Sequence, residues 1–273
     1  VILLGLVVMA WATRRLIRTM IGVVMPGESE NLSDLIFSNL QLSKGPKVVV
    51  IGGGTGLSVM LRGLKAKTYN LTAVVTVADD GGSTGRIRQD LDIIAPGDLR
   101  NCLVALADKE GLMEKLFAHR FGGSGNLTGH SFGNLFIAAL IEVLGDVEEA
   151  MDATSKVLRV RGKVIPSSAE KIRLNAEMTD GRIVEGESQI PHAHGKIKRV
   201  FTTPEHPKAI QSAVRAIQEA DAIVLGPGSL YTSIMPNLCV PDIVQAVRTS
   251  KAPKIYICNV MTQPGETTGY TVG

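Results

Sequence analysis

The chain has 273 residues, of which 45% are hydrophobic and 20% charged, which is enough apolar material for one large core or two modest ones. The formal net charge is only +3, and no run of Lys or Arg is long enough to follow a nucleic-acid backbone, so a nucleic-acid partner is not expected. The three cysteines are widely spaced, which argues against a disulfide framework or a zinc site and favours a reducing, cytoplasmic location.

The N-terminal segment, residues 1–25, begins with twelve apolar residues and continues with Arg14, Arg15 and Arg18. Twelve residues are fewer than the roughly 20 that cross a bilayer. Trp11 beside the arginines is nevertheless typical of the cytoplasmic edge of a membrane helix. Two interpretations stay open: the segment is the end of a membrane helix that holds the chain to the inner face of the cytoplasmic membrane, or it spans nothing.

Residues 26–45 are predicted to be a polar linker, and residues 46–273 to form the main domain. In this domain apolar runs alternate with helical patterns, which predicts an α/β, Rossmann-like fold with a mostly parallel open sheet and helices on both faces. The predicted strands are 47–51, 71–77, 222–225 and 254–258. The predicted helices are 55–64, 98–107, 111–121, 134–144, 147–157 and 207–220.

Residues 161–200 break this alternation and are predicted to form a small β-rich insertion. Their centre, Thr179 to Arg182, lies between two alternating runs and reads as a hairpin turn. His192 and His194 follow in the same segment, but without a third ligand nearby we predict no metal site there.

A glycine turn follows the first predicted strand. It lacks the Lys and the Ser or Thr of a P-loop, and a dinucleotide fingerprint starting at Gly52 or Gly54 is incomplete. The remaining features, a strand, a glycine turn and a helix N-terminus, suit an anion such as a phosphate, whereas a plain tight turn is the alternative. The predicted nucleotide-binding residues here are Gly52, Gly53, Gly54, Thr55 and Gly56.

A polar loop, residues 77–88, follows the second strand, where ligands of open parallel sheets collect. Its adjacent carboxylates could hold a ribose hydroxyl or a divalent cation, or the loop could be a solvated turn. Asp98, further on, is predicted to be the N-cap of the next helix. The predicted nucleotide-binding residues of the loop are Asp79, Asp80, Ser83, Thr84 and Arg86.

Two more loops offer hydroxyl, amide and backbone donors, one before the helix 134–144 and one after the strand 222–225. Together with the first two loops they predict a nucleotide-diphosphate cleft. The predicted nucleotide-binding residues of these loops are His130, Asn134, Gly226, Pro227, Gly228, Ser229, Thr232 and Ser233.

Six stretches in order resemble the YvcK branch of the CofD-like family, the bacterial gluconeogenesis factors, from residue 47 to the end of the chain. These stretches are GGGTGLSVMLRGLK, VTVADDGGSTGRIR, GDLRNCLVALAD, GHSFGNL, GPGSLYTSIMPN and NVMTQPGET. The resemblance implies a Rossmann-like fold with a nucleotide cleft, whose grip is formed by Gly52–Gly56 and Gly226–Ser229. It also implies a further C-terminal part.

The resemblance further implies a regulatory protein that binds a uridine-diphosphate (UDP) sugar and is needed for growth on gluconeogenic carbon sources and for cell shape and wall synthesis. No cofactor is then required and no catalytic residue is assigned. One alternative is a CofD-type 2-phospho-L-lactate transferase acting on a deazaflavin, with Mg²⁺. The other is an NAD-type dinucleotide-binding protein. A homo-oligomer is compatible with each of them.

Overall fold

The computed structural model describes residues 2–24, 39–108 and 111–271. Contacts divide the chain into two units, one ending at Lys44 and one beginning at Gly45. Most of the predicted linker therefore lies outside the described residues. In the first unit, helix α1 (Ile2–Val24) contains the apolar stretch and the arginines, and the Arg15 guanidinium lies over the Trp11 ring at 5.2 Å. Among the helices described, none has both the length and the apolarity needed to cross a membrane.

The second unit is built on a parallel sheet of five strands and carries a smaller antiparallel sheet of three. In chain order, the strands are β1 (Val48–Gly52), β2 (Leu71–Val75), β3 (Lys163–Pro166), β4 (Arg173–Met178), β5 (Ile183–Glu185), β6 (Ile197–Thr203), β7 (Ala222–Leu225) and β8 (Lys254–Tyr256). The order in the parallel sheet is β3-β2-β1-β7-β8. The central strand β1 is buried from Val49 onward, which explains its uninterrupted apolar sequence.

Helices fill the connections between the parallel strands. They are α2 (Gly54–Leu64), α3 (Gly82–Asp90), α4 (Gly97–Leu106), α5 (Gly111–Ala118), α6 (Phe132–Leu144), α7 (Val147–Val157), α8 (Gln211–Gln218), α9 (Met235–Leu238) and α10 (Pro241–Thr249). The chain moves from β1 to β2 in one direction and from β7 to β8 in the other. Because such crossovers are right-handed, α2 and α10 lie on opposite faces of the sheet. The predicted fold class is confirmed.

The antiparallel sheet has the order β5-β4-β6, and β4 and β5 form the hairpin predicted around Thr179 to Arg182. Alternate side chains of β4 point to opposite faces, as in any strand. Leu174, Ala176 and Met178 belong to the hydrophobic core. Arg173 and Asn175 lie on the other face, which is turned away from that core.

Three predicted elements differ from the structure. The predicted β-rich insertion, 161–200, included residues of β3, but β3 pairs in parallel with β2 and is an edge strand of the main sheet. The four residues of β3 are too few to show the alternation of apolar and polar side chains by which a strand is recognised in a sequence. The polar loop 77–88 is half helical because α3 starts at Gly82. The helix predicted at 207–220 is shorter, since α8 covers only Gln211–Gln218.

A core substitution in α2 gives a direct check of this architecture. Leu61 is completely buried in the hydrophobic core, whereas Val59, two residues away, is 64% exposed. We expect Leu61→Ala to lower the free energy of unfolding by about 2–5 kcal/mol, because it removes buried methyl groups and leaves a cavity. The matched control Val59→Ala should change it by less than about 0.5 kcal/mol. Urea denaturation measures both; equal effects would contradict the placement of α2.

Candidate functional site

The strand order reverses between β1 and β7, and a ligand of an open parallel sheet binds outside the carboxyl ends of the strands at such a point. Two glycine-containing turns meet there. The turn after β1 runs from Gly52 into the first turn of α2, and the turn after β7 runs from Gly226 to Ser229. The candidate site therefore contains the two turns that are predicted from the sequence to bind a nucleotide.

The two turns are in direct contact, and this contact requires glycine. A Cβ atom on Gly56 would lie 2.9 Å from the carbonyl oxygen of Pro227, closer than real Cβ contacts allow. The contact is looser elsewhere: a Cβ on Gly52 would lie 3.8 Å from Cα of Gly226, and one on Gly228 would lie 3.4 Å from the carbonyl oxygen of Gly53, both ordinary van der Waals distances. Gly54 also has a φ of +69°, a left-handed conformation that favours glycine.

Asp98 lies directly beneath the first turn. It was predicted to be the N-cap of α4, but that position is held by Pro96, and the Asp98 carboxylate instead accepts a hydrogen bond from the Gly54 N–H. A Cβ on Gly53 would lie 2.6 Å from Oδ2 of Asp98. One side of the glycine turn is therefore filled by a carboxylate of the chain itself.

The hydroxyl groups of the second turn are held by the segment after β8. The Gln263 side-chain amide donates to Oγ of Ser229 at 2.7 Å, and Oγ1 of Thr232 donates to Oε1 of Glu266 at 3.1 Å. The Tyr231 N–H donates to the other oxygen of Glu266 at 3.3 Å. Ser229 and Thr232 were predicted to bind the nucleotide; in the structure their hydroxyls are hydrogen-bonded to Gln263 and Glu266.

The two acids after β2 have different partners. Oδ1 of Asp79 accepts from the Gly81 N–H at 2.9 Å, and its carboxylate also accepts a hydrogen bond from the Thr84 side chain. Oδ1 of Asp80 accepts from the Ser188 N–H at 2.8 Å, so this residue ties the antiparallel-sheet segment to the loop after β2. The adjacent acids are therefore half-buried structural anchors rather than parts of a solvated turn.

A buried polar cluster joins the start of α3 to the start of α6. Oγ of Ser83 accepts hydrogen bonds from the Ser131 N–H at 3.3 Å and from the Asn134 amide at 3.4 Å, and lies 3.3 Å from Nδ1 of His130. With both acceptor positions of Oγ used, the Ser83 hydrogen points at Nδ1, which fits a neutral imidazole. Burial, followed by the Arg86 guanidinium, lowers the pKa of His130, in agreement with this arrangement.

The predicted residues thus form two groups, and contacts between residues that lie between the groups connect them. The first group is the pair of glycine turns, and the second is the Ser83 cluster. The connecting contacts begin where Gly53 packs against Asp98. They continue at Gly97, the residue before Asp98. A Cβ on Gly97 would lie 2.7 Å from Oδ2 of Asp79 and 2.3 Å from Oγ1 of Thr84. Two predicted residues point elsewhere: Thr55 is exposed, and Arg86 donates to the Thr128 carbonyl at 2.8 Å.

Buried carboxylates dominate the electrostatics of the site. Burial raises the pKa of Asp98 to about 6 and that of Glu187 to about 9, and neighbouring carboxylates reinforce both shifts. Burial also raises the pKa values of Asp79 and Glu266. Within the described ranges, no three Asp, Glu, His or Cys side chains are grouped so that they could hold a metal ion.

Glu187 was not among the predicted site residues, whereas Gln263 and Glu266, which follow the last strand, were expected from the sequence to close one end of the cleft. Glu187 lies in a short 3₁₀ helix, Glu187–His192, more than 100 residues from the loop that it faces. No local pattern distinguishes it from an ordinary surface glutamate. The segment NVMTQPGET did carry a signal, because it is polar and follows the last strand of the sheet.

Comparisons with known proteins identify the family of the chain. Residues 48–273 match the family described as 2-phospho-L-lactate transferase CofD. A gluconeogenesis factor from Bacillus subtilis is 56% identical over 230 residues, which cover 84% of this chain and 73% of the relative. A relative from Nostoc sp., provisionally given the same name, is 56% identical over 272 residues, and this chain spans 60% of its length.

The fold is shared with a solved structure as well. A crystal structure of a protein from Bacillus halodurans is 58% identical and superposes with a TM-score of 0.81, covering 84% of this chain and 73% of that one. A second crystal structure of that protein gives the same TM-score. The chain belongs to the CofD family, and its similar relatives carry the name gluconeogenesis factor.

Proposed function

We propose that the chain is the nucleotide-binding part of a regulatory gluconeogenesis factor, and that it binds a UDP sugar without converting it. The observation that carries this proposal is the contact between the Gly52–Gly56 and Gly226–Ser229 turns at the reversal of strand order. Backbone N–H groups at that place suit the diphosphate of a nucleotide. A role in growth on gluconeogenic carbon sources and in cell shape and wall synthesis completes the proposal, together with a cytoplasmic location, attachment to the inner face of the membrane through residues 1–25, and a homo-oligomer.

The charged groups and backbone N–H groups around the two turns limit where a diphosphate can bind. Asp98 already occupies the Gly54 N–H, which leaves the N–H groups of Thr55 and Gly56 at the start of α2 for a ligand. Glu187, with its pKa near 9, is protonated at neutral pH and therefore adds no negative charge. Oδ1 of Asn134 is buried and has no partner among the described residues, which leaves one acceptor at the start of α6 for a ligand or an ordered water.

The family match favours a second candidate, a phospholactyl-type transferase. That reaction uses a divalent metal, which Asp79 or Asp80 would have to hold. In the part of the chain that the structure describes, they are not grouped to ligate one. Asp79 and Asp80 instead accept hydrogen bonds from Gly81 and Ser188, so we derive no metal-dependent step from this arrangement.

Calorimetric titration of the chain tests the proposal against both alternatives. We expect saturable binding of UDP-N-acetylglucosamine that is the same with and without Mg²⁺, and recovery of the ligand unchanged. Guanosine diphosphate bound tightly only with Mg²⁺ would instead support the transferase. Preference for a nicotinamide dinucleotide would support the third alternative, and no binding of any nucleotide would refute the proposed cleft.

Gly56→Ala tests the contact between the turns. Because its Cβ would lie 2.9 Å from the Pro227 carbonyl oxygen, the two turns must separate, and we expect nucleotide affinity to fall about tenfold or more. Gly63→Ala, on the same helix, is the matched control: nothing lies within 4 Å of its Cβ. This control should keep its affinity and gain about 0.5–1 kcal/mol in stability. Unchanged binding by Gly56→Ala would place the nucleotide elsewhere.

Glu187→Gln tests the buried carboxyl group. In the folded chain its pKa is about 9, against 4.5 as the reference value, so the folded state holds a proton that the unfolded state releases between these values. The stability that this proton supplies is complete below about pH 4.5 and is lost as pH rises through 9. From pH 6 to pH 8 the loss is up to about 2.7 kcal/mol for one proton.

We therefore expect the unfolding free energy of the wild type to fall more steeply over this interval than that of Glu187→Gln, which has no proton to release. Urea denaturation at pH 6 and pH 8 measures the difference. The exposed residue Glu205 provides the control, because Glu205→Gln should follow the wild-type curve. Parallel curves for the wild type and Glu187→Gln would show that Glu187 is not buried as described.

A further inference from the structure

A groove outside the glycine turns lies between α3 and the antiparallel sheet. Its volume is about 800 Å³, within the range of roughly 300–1,000 Å³ that small-molecule sites occupy. One wall is the face of α3 that carries Gly85, Arg88 and Gln89. The other wall is the face of β4, β5 and β6 turned away from the hydrophobic core.

The floor of this groove contains an unsatisfied amide. Asn175 is only 3% exposed and pairs in register with Glu185 on β5 and Phe201 on β6. Its Nδ2 donates to Oγ1 of Thr203 at 2.9 Å, but Oδ1 has no partner among the described residues. Exchanging the amide oxygen and nitrogen would only leave the nitrogen unsatisfied instead. A ligand group in the groove, or an ordered water in its place, would complete the hydrogen bonds of Asn175.

The charges that line the groove are balanced. Lys171 forms an ion pair with Asp92, and Nη1 of Arg173 lies 3.3 Å from Oε2 of Glu185. The third cation, Arg88, is near Asp80, whose charge raises its pKa against the larger effect of burial. An anionic or cationic ligand would gain little from such a lining. A neutral ligand with many donors and acceptors matches it better.

Hydroxyl groups are the ligand groups that this lining favours. Each hydroxyl both donates and accepts, so it can satisfy either end of the Asn175 amide and also the carboxylates and guanidiniums beside it. Phe201 and Ile183 add apolar surface against which the C–H groups of a sugar ring can pack. The groove also shares Asp80 and Gly186 with the connection between the loop after β2 and the antiparallel sheet.

We propose that the groove binds a neutral, polyhydroxylated sugar ring, with Asn175 as a specificity-determining residue. For a sugar carried on a nucleotide this inference rests on the proposed function and assigns the sugar its own subsite. For an unattached sugar it stands alone. Both ligands present the same ring with its hydroxyl groups, and the test distinguishes the nucleotide-linked sugar from the unattached one.

The test compares the 273-residue chain with Asn175→Leu, which keeps the side-chain size and removes the amide. Calorimetry measures affinity for UDP-N-acetylglucosamine and for UDP, and saturation-transfer NMR detects N-acetylglucosamine alone. We expect wild type to bind the UDP sugar more tightly than UDP. Asn175→Leu should weaken UDP-sugar binding about tenfold, leave UDP binding unchanged and abolish the NMR signal of the unattached sugar.

Thr202→Val is the matched control. The Thr202 hydroxyl is also buried without a partner among the described residues. Thr202 follows Phe201, the residue that pairs with Asn175, so its side chain lies on the opposite face of the sheet from Asn175. This variant should bind both nucleotides and the sugar like wild type. If Asn175→Leu does not fold, Phe201→Leu replaces it, with the same expected loss restricted to sugar-containing ligands.

The outcomes separate the two proposals. Equal affinity for UDP and the UDP sugar together with no NMR signal from the unattached sugar, or an Asn175→Leu effect that is absent or equal for all three ligands, overturns the groove and leaves the nucleotide cleft standing. A sugar signal that Asn175→Leu abolishes, in a chain that binds no nucleotide, supports the groove and overturns the nucleotide cleft. The absence of both sugar and nucleotide binding overturns both.

Discussion

The contact between two backbone turns controls the arrangement of the site. At the carboxyl ends of β1 and β7, Gly56 approaches the carbonyl oxygen of Pro227 so closely that no side chain fits between them. The helix α2 starts beside this contact, at Gly54, whose N–H donates to the carboxylate of Asp98. The glycines are therefore explained in part by packing within the chain itself.

Removing carboxylates from water around such a contact costs free energy, and the chain reduces this cost in three ways. Backbone N–H groups of Gly81 and Ser188 satisfy Asp79 and Asp80. Tyr231 and Thr232 donate to Glu266. Glu187 avoids the cost by keeping its proton, since burial and the surrounding acids raise its pKa to about 9. The result is a site whose charge is lower than its number of acids suggests.

The sequence was sufficient to predict the fold class and the turns of the site, because the signals involved are local. An apolar run, a glycine turn and an amphipathic helix are adjacent in β1 and α2, and an apolar strand followed by a glycine turn recurs at Gly226. The strand β3 was assigned to the wrong sheet, since four residues show no period and its pairing with β2 is a long-range choice. The helix α3 was read as a loop because its glycine-rich start has low helix propensity.

The parts of the site that the sequence did not reveal depend on contacts between distant segments. Glu187 and Asp80 are more than 100 residues apart, and only the position of the antiparallel sheet brings them together. Asp98 reads as a helix cap in sequence, yet its carboxylate bonds to another helix. The unsatisfied amide of Asn175 is invisible without knowledge of which strand face it occupies.

The hydrogen bond from the Ser188 N–H to Asp80 has a thermodynamic consequence. It joins the antiparallel sheet to the loop that begins α3, and α3 carries both Ser83, at its start, and Arg88, in the groove wall. A ligand that moves either of the two segments joined by this hydrogen bond changes the energy of the other segment as well. Allosteric coupling is reciprocal, so an occupant of the groove that tightens binding at the glycine turns must itself be bound more tightly in return, by the same factor.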